Sequence, residues 1–165
     1  RYMHNEFFSA DSIHFDESMK FKTVAGRTVY GGGGIMPDIF IPVDTTKVSD
    51  VYNEVWDKNI LYRYTLDFAD RNRAKFDGVK TLEELDRVLD ESDIMADFLK
   101  YAERNGATPT EGDLAKSKEV IMTQIRAYIG RNALSDESGY YYNIYPIDDV
   151  MQRAVKELKR GGLQL

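Results

Sequence analysis

The chain has 165 residues, a formal net charge of −6 and no cysteine. Without cysteine, disulfides, thiolate catalysis and thiolate-bound zinc are excluded. The acidic balance argues against a nucleic-acid partner, which clustered Lys and Arg would have to hold by displacing phosphate counterions. No apolar run approaches the roughly 20 residues of a membrane-spanning helix, and no Lys/Arg-rich amphipathic face suggests an interfacial one. With 42% hydrophobic residues, the chain can bury a core, so one domain with an extension is expected.

Residues 1–18 are polar and aromatic without a steady period, and both histidines, His4 and His14, fall there. The row opens Arg1-Tyr2-Met3-His4, with no initiator methionine, signal segment or cleavage motif, which reads as a start inside a longer protein. From Met19 the pattern turns to β. Phe21-Lys22-Thr23-Val24, a turn at Ala25-Gly26, Arg27-Thr28-Val29-Tyr30, four glycines and Ile39-Phe40-Ile41-Pro42-Val43 predict short strands joined by tight turns, with Pro37 at a strand start or edge.

After Asp44-Thr45-Thr46 the β signal stops, which places a boundary between a β segment, 1–45, and a helical domain, 46–165. Helical period is expected over Ser49 to Phe76 with a break near Asn59, and over Leu82 to Glu103 with an interruption at Glu91-Ser92. Thr81 and Glu84 have capping-box spacing. A helix over Thr110 to Asn132 sets Leu114, Ile121, Ile125, Tyr128 and Ile129 on one face. The last helix has the plainest pattern: Ile147, Val150, Met151, Ala154, Val155 and Leu158 recur at three- and four-residue steps. Asp148 and Asp149 stand at its start, Lys156, Lys159 and Arg160 at its end, and Gly161-Gly162 stop it.

The residues that could carry chemistry each have a plainer reading. Gly31 to Gly34 lack the Gly-Lys-Ser/Thr or G-x-G-x-x-G setting of a phosphate loop and lead into Ile35-Met36-Pro37-Asp38, so they read as a structural turn. His4 and His14 have no ligand spacing and read as surface residues. The acidic run Glu83, Glu84, Asp86, Asp90, Glu91, Asp93 and Asp97 lacks the alternating ligands and central glycine of a calcium loop, and reads as a solvated helix face. No serine lies in G-x-S-x-G or S-x-x-K. Ser117, between Lys116 and Lys118, comes nearest and reads as ordinary helix surface. Tyr140-Tyr141-Tyr142-Asn143-Ile144-Tyr145 either pins the last helix to the body or lines a peptide groove. No cofactor or metal site is expected.

Taken together, Phe21, Thr23, Gly26, Arg27, Val29, Tyr30, Gly31, Gly32, Gly33, Gly34, Ile35, Pro37, Asp38 and Ile39 resemble the closing signature of the bacterial carboxyl-terminal processing, or tail-specific, proteases. The stretch Ile125 to Arg131, then Tyr141-Tyr142 and Asp148 to Ala154, is similar to the helical tail of one bacterial subgroup. The resemblance implies a parent serine endopeptidase with a serine nucleophile and a lysine base, both upstream of this signature, so no catalytic role passes to any residue here. It implies that the strands are the last of a crotonase-like α/β core, that the parent acts in the periplasm or cell envelope, and that its substrates are proteins with unstructured C-termini. The resulting expectation is an α+β chain, mainly helical. It is expected to be a non-catalytic C-terminal portion that supports dimerisation, core positioning or partner contact, and to be inactive alone. The open β edges would favour a homodimer. The alternative is an independent helical binding or adaptor module with no protease parent.

Overall fold

A computed structural model of the chain describes residues 16–31, 37, 39–134 and 136–161. It is mainly helical with one short antiparallel sheet, and it divides into two compact units at Thr45/Thr46.

In the first unit, β1 (Lys20–Lys22) pairs with β2 (Thr28–Tyr30), Phe21 opposite Val29. The turn between them depends on three residues of the signature. The Thr23 N–H donates to the Arg27 carbonyl at 2.8 Å, and the Arg27 N–H donates to the Thr23 hydroxyl at 3.1 Å. Gly26 closes the turn onto the Thr23 carbonyl at φ +81°, a region in which a side chain would be strained. The Gly31 N–H continues the ladder to Met19 O at 2.8 Å. A 3₁₀ turn, Glu17–Met19, leads into β1, and Glu17 bonds both Lys20 and the Tyr30 hydroxyl.

The strand expected over Ile39–Val43 does not form: these residues are irregular. Pro42 removes a ladder donor there, and β-branched residues make a strand only when another strand pairs with them. Gly32, Gly33, Gly34 and Asp38, like His4 and His14, lie outside the described residues.

The second unit is a helical bundle of α1 (Asp50–Asp57), α2 (Ile60–Arg71), α3 (Arg73–Phe76), α4 (Leu82–Asp90), α5 (Ile94–Arg104), α6 (Glu111–Ala133), α7 (Ser138–Ile144) and α8 (Asp149–Lys159). The breaks have local causes. Asn59 takes a left-handed φ of 55°, which ends the α1 direction and starts α2. Thr81 and Glu84 form the reciprocal capping box at the head of α4, and Asp93 caps α5 after the gap at Glu91-Ser92. Thr110 and Asp113 form a second capping box at the head of α6.

The core gathers Val55, Ile60, Leu61, Tyr64, Leu85, Leu89, Ile94, Phe98, Ile121, Ile125 and Ile129, all essentially solvent-free. Tyr64 stacks edge-on against Phe98 at 5.2 Å, and its hydroxyl donates to Ile94 O at 3.1 Å and to Asp97 Oδ2 at 3.2 Å. Burial, reinforced by the Asp97 charge, pushes the Tyr64 hydroxyl pKa far up.

Helix α6 is the axis of the unit, packing on α1, α2, α4 and α7. Ile121, Ile125 and Ile129 take the expected face, with Leu114 and Tyr128 half-buried beside it. At about 100° per residue, Ala127 and Gly130 lie on the far side of the helix and are buried too. Two-sided burial of this kind blurs the single stripe seen in the sequence.

Ser117 is a correction. Instead of lying at the surface it is fully buried, and its hydroxyl accepts from the Ser49 N–H at 2.7 Å and donates to Lys47 O at 3.1 Å. The hydroxyl therefore ties the entry of α1 to the N-terminal third of α6.

Candidate functional site

The Tyr-rich segment folds as α7 followed by a 3₁₀ turn, Tyr145–Ile147. α7 approaches α6 through two glycines. A Cβ on Gly130 would lie 2.7 Å from Gly139 O, and one on Gly139 would lie 2.5 Å from Gly130 O. Backbone thus meets backbone, and this proximity sets where the α7 side chains stand. Tyr140 turns inward and packs on Tyr128 at 5.7 Å, with the Arg131 guanidinium 5.7 Å from its ring centre. Tyr141, Tyr142 and Tyr145 face out, 49%, 48% and 38% exposed.

Between these tyrosines, α4 and α6 lies an open cavity of about 530 Å³. Its lining adds Asp86, Thr123, Arg126, Asn143 and Pro146 to the three exposed tyrosines. Arg126 is its centre. Asp86 and Asp90, one turn apart on α4, accept from Nη2 at 3.0 Å and Nη1 at 2.6 Å, and Asn143 Oδ1 accepts from Nε at 3.4 Å. The Tyr142 hydroxyl donates to the other Asp86 oxygen at 2.9 Å, and that bond raises its pKa. Asn143 is itself fixed by donating to Gly139 O at 2.8 Å.

One guanidinium against two carboxylates leaves this cluster one negative charge in excess, under a rim of tyrosine rings. Such a surface suits polypeptide contact, in which aromatic faces supply area and the ionic floor supplies orientation. Tyr140 packs α7 onto α6 rather than holding the last helix, and Tyr141, Tyr142 and Tyr145 line the cavity.

The acidic run is also divided by the fold. Asp86 and Asp90 serve Arg126, Asp97 serves Arg71 at 2.8 Å and Tyr64, and Glu83, Glu91 and Asp93 remain solvated. Among the described residues, no group of three or more His, Asp or Glu is placed to hold a metal ion, and no helix is long and apolar enough to cross a membrane. Of the signature residues, Thr23, Gly26, Arg27 and Gly31 lie in the hairpin and Pro37 beyond it, away from any charged cluster of the second unit in sequence.

Arg126 as a hub was not visible in the sequence, because its partners lie far along the chain. Gly130 inside a helical pattern was the available signal for the close crossing, since a glycine there costs helix stability unless packing requires it.

Residues 51–135 match the model of a family of unknown function, DUF8443. No curated protein and no solved structure matches the chain. The matched span carries Asp86, Asp90, Thr123 and Arg126 and stops short of the tyrosines, so the floor of the cavity lies inside it and the rim outside.

Proposed function

The chain belongs to the family of unknown function DUF8443, and we propose that it is the non-catalytic C-terminal portion of a tail-specific serine endopeptidase, whose helical unit makes polypeptide contacts. In this reading the hairpin of β1 and β2 is the end of a crotonase-like protease core, the serine and lysine lie upstream, and the parent works in the periplasm or cell envelope. Support comes from the Thr23, Gly26, Arg27, Gly31 to Gly34, Pro37 and Asp38 pattern.

The observation that carries the contact role is the state of the polar groups in the cavity. A nucleophile or base at work needs a lowered pKa or a neighbouring proton acceptor with capacity to spare. Here Arg126 is balanced by two carboxylates, and the Tyr142 hydroxyl is committed to Asp86 with its pKa raised. What the site offers is surface and orientation.

A second reading is favoured by the span of the family match. That match lies wholly within the helical unit, which is compact by itself, as an independent binding module would be. The test is to replace the rim by Tyr141→Ala with Tyr145→Ala, both exposed, in the longer protein that carries this chain. The proposal expects slower cleavage of an unfolded substrate with unchanged folding. Cleavage at the parental rate would remove the tyrosine rim from the reading.

A further inference from the structure

The fixed donors of the cavity are already committed, whereas its oxygens keep room to accept. Arg126 engages all three guanidinium nitrogens, with Asp86, Asp90 and Asn143. The Tyr142 hydroxyl gives its proton to Asp86, and the Asn143 amide donates to Gly139 O. Each Asp86 oxygen, by contrast, receives a single bond and can accept a second, and the Tyr142 oxygen can accept as well.

The charge balance has the matching sign. Glu83, Asp86 and Asp90 lie within about 60° of one another around α4, and Arg87 stands next to Glu83 on the side away from Asp86. Against Arg87 and Arg126 the three carboxylates leave one negative charge, and Arg126 is the one cation in the cavity lining. The hydrogen bond to Asp86, with the Asp86 and Glu83 charges, holds the Tyr142 pKa up against the pull of Arg126. The rings narrow the kind of cation that fits. Tyr141, Tyr142 and Tyr145 are each more than a third exposed at the rim, and exposed ring faces attract a cation that sheds its water readily. An open cavity of about 530 Å³ admits a long side chain together with its flanking backbone. A guanidinium meets these demands best, being planar, weakly hydrated and provided with five donors.

We propose that this cavity receives a basic side chain of a polypeptide partner, arginine before lysine, with its charge held between Asp86 and the rings of Tyr141, Tyr142 and Tyr145. The inference rests on the reading of the helical unit as a contact-making element and names the chemistry of what it contacts. Asp90, 69% exposed and bonded to Arg126 through Oδ1 alone, adds field rather than contact.

The test is titration of this chain with capped pentapeptides that carry one arginine, lysine, glutamine or glutamate between glycines, followed through the amide resonances of Thr123, Asn143 and Tyr145. The arginine peptide should saturate these shifts with a Kd of about 1 mM at low salt. The glutamine peptide should bind about fivefold more weakly or worse, and the glutamate peptide more weakly still. Tyr141→Ala with Tyr145→Ala should weaken the arginine peptide about tenfold. Asp90→Asn, which leaves the lining in place, should weaken it about threefold, and salt should erase that difference. Amide resonances of the core around Tyr64 and Phe98 should stay where they are in both variants. Equal affinity for the arginine and glutamine peptides, tighter binding of the glutamate peptide, or no shift from the arginine peptide at about 10 mM overturns the proposal. These titrations need no protease core. If the arginine peptide fails to bind while the rim variant still slows cleavage by the longer protein, the contact reading stands and the basic-side-chain reading falls; if it binds while cleavage is unchanged, the reverse holds.

Discussion

Alanine at Gly130 should destabilise the fold, although alanine is ordinarily the better helix former by about 1 kcal/mol. The new methyl would lie 2.7 Å from Gly139 O, 3.0 Å from Gly139 C and 3.1 Å from Leu85 Cδ2. Two of these three neighbours are backbone, so relief requires α7 to move outward by several tenths of an ångström. Overpacking of this kind costs about 1–3 kcal/mol. After the helix-propensity gain, a net loss of up to about 2 kcal/mol remains. Gly139→Ala meets Gly130 O at 2.5 Å and Gly130 C at 2.8 Å and should cost at least as much. The same helix supplies its own control. A methyl on Gly112 finds only Thr110 Oγ1, at 3.8 Å, so Gly112→Ala should stabilise by about 0.5–1 kcal/mol. Urea unfolding of the three variants should move the midpoint down, down and up. A Gly130→Ala protein as stable as the parent would refute the backbone-on-backbone crossing and, with it, the placement of the tyrosine rim.

Other perturbations test the remaining contacts. Ser117→Ala leaves the Ser49 N–H and the Lys47 carbonyl without their shared partner and should cost about 1–3 kcal/mol in chemical unfolding; a neutral result would mean the hydroxyl bridge is not formed. Arg126→Met strips two carboxylates of their cation, but Asp90 is largely exposed and Arg126 itself keeps 22% of its surface. Solvent screening then limits the loss to about 1 kcal/mol, and high salt should shrink it further. Tyr64 has a folded-state pKa above its unfolded value of about 10, so its stabilisation is complete below pH 10 and is lost as the unfolded chain ionises above it. The urea midpoint should therefore fall more steeply beyond pH 10 in the parent than in Tyr64→Phe; parallel pH profiles would contradict the buried, protonated hydroxyl.

The elements legible in the sequence are those set by neighbours along the chain. The break at Asn59, the gap at Glu91-Ser92 and the Thr81–Glu84 box depend on caps and turn conformations within a few residues, and each is where the local pattern puts it. Features that depend on distant partners were not legible. Ser117 looks like surface between two lysines until α1 folds over it, and Arg126 has no local sign of Asp86 or Asp90. The strand expected at Ile39–Val43 had the right residue types, yet residue type alone does not provide a partner strand. The stripe expected in α8 is only partly covered, with Met151 and Val155 half-buried and Val150, Ala154 and Leu158 exposed, because periodicity marks a face without saying how much of it is buried.

On the proposed reading, this chain contributes contacts and a parent protease contributes hydrolysis. The most direct measurement is cleavage of an unfolded protein with a free apolar C-terminus, followed by product analysis, for this chain alone and for the longer protein carrying it behind a serine–lysine core. The account predicts products from the longer protein and none from the chain. Turnover by the chain itself would contradict it.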